Sequence, residues 1–176
     1  MKRESRTILI AEDEPNDAFF LQRAFRANNI DDPIHVVTDG AEAIAYLRGE
    51  GGYADREKYE FPSFIISDLK MPREDGFAIL EALRSRSEWS VVPMIILSGS
   101  CDENDIERAY MLGAKAYLVK PACFEDLRSL IKKFHDFWSQ CETPRVNKDG
   151  EKLPTNGEGK LGDRYRPGIA APKVST

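Results

Sequence analysis

The sequence predicts an α/β fold built as a doubly wound, five-stranded parallel sheet. Two patterns carry this. Five short apolar runs recur along the chain, and most are nearly continuous rather than alternating, as in strands buried on both faces. Segments with apolar residues at helical spacing follow each run, so strand and helix alternate five times. Strands joined by helical crossovers run parallel, and right-handed crossovers place helices on both faces. In such sheets the functional groups gather at the carboxyl ends of the strands.

The first strand, residues 7–11, leads into Glu12-Asp13. Pro15 suits the first turn of a helix, and Ala18, Leu21 and Phe25 then share one face. The second strand is 34–38, and the second helix, about 40–47, aligns Ala41, Ile44 and Leu47. Residues 49–62 are rich in glycine and charge and are expected to form an exposed loop. The third strand, 64–68, drives Asp68 to its end, and Phe77, Leu80 and Leu83 mark the helix after Glu74-Asp75-Gly76. The fourth strand, 93–98, ends in Ser98, and its helix, about 103–112, stops at Gly113. The fifth strand, 115–119, precedes Lys120-Pro121, and the last helix runs from Phe124 to about residue 140. It carries Leu127, Ile131, Phe134 and Trp138 on one face and Leu130, Phe137 and Cys141 on an adjacent one. One sheet face needs one stripe. The spare stripe is covered by the tail, reaches into a thicker core, or is buried in a homodimer through the fourth helix, fifth strand and fifth helix. Residues 1–142 form one domain, and 143–176, full of Pro, Gly and charge without periodicity, are expected to be a flexible tail.

The bulk numbers exclude several classes. A net charge of −5 offers no basic footprint for nucleic acid. No apolar run approaches membrane-spanning length, and the opening MKRESRTILIAEDEP does not read as a signal peptide. Cys101, Cys123 and Cys141 lack a disulfide or zinc spacing and fit free thiols in a reducing, cytoplasmic setting.

The polar residues at the strand ends carry the chemistry. Singly, an acid, serine or lysine after a strand is an ordinary cap, turn or solvated group. Together, acids after strands one and three with a hydroxyl and a lysine after strands four and five close one rim. Converging carboxylates repel one another and call for a cation. All-oxygen ligation suits Mg²⁺, which keeps waters and shares phosphate oxygens. A carboxylate held beside such a cation can attack a phosphoryl group, whose charge must be met by metal, ammonium and hydrogen-bond donors. Asp68, the acids Glu12 and Asp13, Ser98 and Lys120 supply one group for each task.

Glu12-Asp13, DLKMPREDG at 68–76, Ser98-Gly99 and KAYLVKP at 115–121 occur in order on successive strands. The stretch from residue 7 to 140 thereby resembles the receiver domains of two-component response regulators. The resemblance implies a flavodoxin-like (βα)5 sheet with strand order 2-1-3-4-5. It makes Asp68 the phosphoacceptor. Asp13, Asp68, the Lys70 carbonyl and, through water, Glu12 become Mg²⁺ ligands. Ser98 and Lys120 become the partners of the phosphoryl oxygens, and Tyr117 the switch aromatic. It also implies a cis Lys120–Pro121 peptide, and self-catalysed phosphoryl transfer and autodephosphorylation in place of enzymatic turnover. The implied partner is a sensor histidine kinase or phosphotransfer protein. The long 49–62 connection and the AEDEPND opening are similar to the subgroup that partners phytochrome-type kinases. Two rivals share parts of this pattern. A phosphatase of the haloacid dehalogenase type places a second Asp where Lys70 stands, and a phosphorylation-independent interaction module usually loses the acids or the lysine that this chain keeps.

Overall fold

The computed structural model describes residues 6–141, 144 and 146–153. The strands are β1 (Ile8–Ala11), β2 (Ile34–Val37), β3 (Phe64–Ser67), β4 (Met94–Ser98) and β5 (Ala116–Val119). They alternate with α1 (Pro15–Ala27), α2 (Gly40–Arg48), α3 (Gly76–Arg84), α4 (Glu103–Met111) and α5 (Phe124–Trp138). All pairings are parallel, and the sheet runs β2-β1-β3-β4-β5, the expected doubly wound order.

Period-two alternation within the apolar runs splits the core into two layers. Leu9, Ala11, Ile65, Met94 and Ile96 face a layer completed by Tyr46 and Leu47 of α2, Leu80 of α3 and Ala109 of α4. Ile8, Ile10, Phe64, Ile66, Ile95 and Leu97 face the other, with Leu21 and Phe25 of α1 and Ile131 of α5. Both faces are covered, so both sets must be apolar, and the runs lose their alternation.

The α5 stripes resolve in the same way. Leu127, Leu130, Phe134 and Trp138 all pack against the second layer around Ile131. Leu130 therefore belongs to the core, and the large apolar residue left outside on α5 is Phe137, 66% exposed.

Most of residues 49–62 are exposed, as expected, but the segment is more ordered than a plain loop. It folds into a cap beside α2 at the amino edge of the sheet. A 3-10 turn, Gly51–Tyr53, opens it, Phe61 is buried, and Tyr53 and Tyr59 are partly buried on the core. The Tyr46 ring meets Tyr53 at 5.0 Å and Tyr59 at 6.0 Å between centroids, and its hydroxyl donates to the Glu60 carbonyl at 2.9 Å. The Arg56 guanidinium donates to the carbonyls of Tyr46 (2.9 Å), Leu47 (2.7 Å) and Tyr59 (3.1 Å). The arginine thus joins the Gly49 N–H at the Tyr46 carbonyl and gives Leu47 a donor in the last turn of α2. The aromatics follow neither helical nor strand spacing, so periodicity does not announce them.

Part of the stretch expected to be a tail also lies on this cap. Val146 and Lys152 form an antiparallel bridge, and the Phe61 N–H donates to the Lys148 carbonyl at 2.9 Å. Lys148 pairs with Glu57, and Gly150 lies against the Phe61 ring. The rest of that stretch, 143, 145 and 154–176, lies outside the described residues.

Candidate functional site at the carboxyl edge

Register brings the acids together. Ala11 pairs with Ser67, so the next residues, Glu12-Asp13 and Asp68, leave adjacent strands side by side. The Asp68 N–H donates to the Ala11 carbonyl at 2.9 Å. One carboxylate oxygen each from Glu12, Asp13 and Asp68 lies within 4.8 Å of the others. On the other side Ser98 pairs with Val119, and the Lys120 N–H donates to the Ser98 carbonyl at 2.9 Å.

Two turns after Asp68 fix its direction. Its Oδ1 accepts from the Leu69 N–H at 2.5 Å and the Lys70 N–H at 3.4 Å. Asp75 caps α3 by accepting from the Ala78 N–H at 3.0 Å. A Cβ at position 76 would lie 2.6 Å from the Asp68 carbonyl oxygen, so the doubled-back chain requires Gly76.

The Lys120 ammonium bonds Glu12 Oε2 at 2.7 Å, Asp68 Oδ2 at 2.7 Å and Asp17 Oδ2 at 2.8 Å. Burial alone would lower its pKa; the hydrogen bonds to Asp17, Asp68 and Glu12 outweigh that and push it up. Burial raises the Glu12 carboxyl against the opposing pull of Lys120 and of the Glu14 N–H. Like charges are thus held close, partly dried, and balanced by one ammonium. Oxygen donors in this arrangement suit a hard divalent cation, and the residues fit the Mg²⁺ expected from the sequence.

The remaining candidates sit nearby without joining this cluster. Ser98 is 2% exposed, and its Oγ accepts from the Ser100 N–H at 3.4 Å. Tyr117 donates its hydroxyl to the Ser100 carbonyl at 3.1 Å, and its N–H donates to the Tyr110 hydroxyl at 3.1 Å. The Lys70 ammonium pairs with Asp105 of α4 at 3.4 Å, and Asp105 also accepts from the Ser100 hydroxyl at 3.2 Å. The Lys120–Pro121 peptide expected to be cis is trans, as are all peptides among the described residues. Trans is the intrinsically favoured form, by about 0.5–1 kcal/mol before proline.

Sequence reasoning does not single out Asp17. An acid in the first turn of a helix is the ordinary dipole pattern, and nothing local signals a lysine 103 residues away. Beside it a cleft of about 350 Å³ opens between α1 and α5, lined by Phe20, Leu21, Leu97, Phe124 and Leu127 with Asp17 and Lys120 at its polar end.

Residues 8–132 match the response regulator receiver domain family. Response regulator Rcp1 of Synechocystis is 28% identical over 138 residues, 78% of this chain and 92% of that protein. The Mn²⁺-bound crystal structure of Rcp1 superposes with a TM-score of 0.71, covering 80% of this chain and 99% of that one. The phosphorylated cyanobacterial phytochrome response regulator RcpA is 32% identical with a TM-score of 0.74, over 80% of this chain and 99% of that one. RPA3017, a response regulator in red light signalling of R. palustris, is 33% identical with a TM-score of 0.76, over the same shares.

Proposed function

The chain belongs to the response regulator receiver domain family, and from that premise we propose that it accepts a phosphoryl group on Asp68 and relays it as a change of surface. The observation that carries this is the convergence of Glu12, Asp13 and Asp68 within 4.8 Å, with the Lys120 ammonium 2.7 Å from Asp68. An Asp68 carboxylate oxygen attacks phosphorus. The bond from phosphorus to the donor's histidine nitrogen breaks, its electron pair leaves with the imidazole, and an acyl phosphate remains. Asp13, Asp68, the Lys70 carbonyl and, through water, Glu12 would hold Mg²⁺, which neutralises phosphoryl charge when bound. Lys120 pairs with one phosphoryl oxygen and the Ser98 hydroxyl donates to another.

Phosphorylation adds about −1.5 to −2 charge at this rim. Drawing Ser98 and its loop toward that charge would disturb Ser100, which now accepts the Tyr117 hydroxyl. Tyr117 then repacks, and the α4–β5–α5 surface changes with it. That surface exposes Tyr110 and Met111 of α4, Val119 of β5 and Phe137 of α5, which suits a homodimer. The donor is a sensor histidine kinase or phosphotransfer protein in the cytoplasm; similarity to RcpA, Rcp1 and RPA3017 favours a phytochrome-type kinase. Among the described residues no helix is long and apolar enough to cross a membrane.

The test is uptake of phosphoryl label from acetyl phosphate with Mg²⁺, run on wild type and Asp68→Asn. Label on wild type alone supports the proposal. No label and no response to beryllofluoride would instead favour an interaction module that works without phosphorylation. Sedimentation mass with and without beryllofluoride tests the homodimer, and a monomer in both conditions rejects it.

A further inference from the structure

Of the three carboxylates that hold the Lys120 ammonium, two belong to the cluster that fits a cation. The third, Asp17, comes from the first turn of α1 and lies outside that cluster. The ammonium donates to Asp17 at 2.8 Å and to Asp68 at 2.7 Å, and Glu12 lies 2.7 Å away as a third ion-pair partner. A bound cation competes for the oxygens of Glu12 and Asp68, whereas Asp17 keeps its hold. The lysine stem has large rotamer freedom, so a group that fixes its head shortens the search for productive geometry.

We propose that Asp17 is a positioning residue for phosphoryl acceptance, tethering Lys120 over Asp68 while Glu12 and Asp68 serve the cation. The proposal rests on the phosphoacceptor reading of Asp68. Because Asp17 is 46% exposed, its ion pair contributes little to folding, and its effect falls on orientation.

The experiment compares wild type, Asp17→Asn, Asp17→Glu and Asp68→Asn. Labelling by acetyl phosphate gives the rate, calorimetric titration gives the Mg²⁺ affinity, and ¹⁵N-lysine NMR of metal-free protein gives proton exchange at Lys120 Nζ. Asp17→Asn should label about three- to tenfold more slowly, as expected for the loss of one charge-assisted hydrogen bond at a site of this exposure. Its Mg²⁺ affinity should stay within about twofold of wild type, since Asp17 is no cation ligand. Its Lys120 protons should exchange faster, and Asp17→Glu should regain most of the rate. Wild-type labelling by Asp17→Asn, unchanged Lys120 exchange, or no rescue by glutamate overturns the proposal. A fall in Mg²⁺ affinity parallel to the rate also overturns it, because Asp17 would then serve the cation. Failure of wild type to take label, or full labelling of Asp68→Asn, sinks the phosphoacceptor reading and this proposal with it.

Discussion

Around the cap between α2 and β3, Tyr46, Tyr53, Tyr59 and Phe61 meet ring to ring or on the core, and Arg56 answers three carbonyls. At the carboxyl rim, Glu12, Asp17 and Asp68 hold a single ammonium, and Asp13 converges on Glu12 and Asp68. The cap uses mainly apolar burial and neutral carbonyl acceptors, with the Glu42 carboxylate and the Lys148–Glu57 pair at its margin. The rim holds like charges close, a standing cost to the fold that a cation can relieve. The two regions teach that the same sheet stores its stability away from the rim where its charges converge.

The largest way to break this comparison is at the cap. Tyr46 is fully buried, and Tyr46→Ala should cost about 3–5 kcal/mol in urea unfolding, the range for deleting a buried aromatic ring. A loss below about 1 kcal/mol would mean that the cap carries no stability. Next comes Gly150→Ala. Position 150 has φ +83°, and a Cβ there would sit 2.6 Å from the Phe61 ring. The substitution should cost about 1–2 kcal/mol by the same measurement. No change would mean that the 146–152 bridge does not lie on the cap in solution.

At the rim the sign reverses. Without divalent cation, Asp13→Asn should stabilise the protein by about 1 kcal/mol, since it removes one of the converging charges. Added Mg²⁺ should raise the wild-type melting temperature and leave the variant nearly unmoved. A variant less stable than wild type in chelator would refute the charge-crowding account.

The smallest effect separates the regions by pH. Burial alone would raise the Glu42 carboxyl; hydrogen bonds from Tyr53 (2.5 Å) and from the Thr38 N–H (2.7 Å) and hydroxyl (3.0 Å) outweigh it and hold its pKa down. A depressed carboxyl contributes stability above its unfolded pKa and loses it as pH falls through its folded pKa. Glu12 is raised, so its contribution has the opposite sign: its cost at neutral pH is relieved as pH falls through its folded value. Glu42→Gln should therefore lose about 0.5–1 kcal/mol at neutral pH and converge on wild type in acid. Glu12→Gln in chelator should gain at neutral pH and likewise converge. Denaturant midpoints across pH 3 to 7 check both, and parallel curves would defeat the assignment.

Legibility followed the same division. The sheet could be read because strands buried on both faces appear as unbroken apolar runs, as Ile8 to Ala11 and Phe64 to Ile66 do. The gathering of Glu12, Asp13, Asp68 and Lys120 could be read because parallel strands in that order must end at one edge. The cap could not, since its aromatics have no period and its key donor, Arg56, sits among charges that suggest solvent. Asp17 could not, since its partner lies 103 residues further along the chain. The packing of residues 146–152 could not, because one bridge and one ring contact leave no mark on composition.

The loop after Asp68 is fastened on one flank. Arg73, with φ +61°, pairs with the buried Asp39 carboxylate at the start of α2, and the Gly40 N–H donates to the Glu74 carbonyl at 2.8 Å. Its other flank is joined to α4 by the Lys70–Asp105 pair, whose acid is 24% exposed against 2% for Asp39. A disturbance at the aspartate therefore meets a rigid abutment toward α2 and a yielding one toward α4. The loop is thus held unequally, its side toward α4 being the more open of the two.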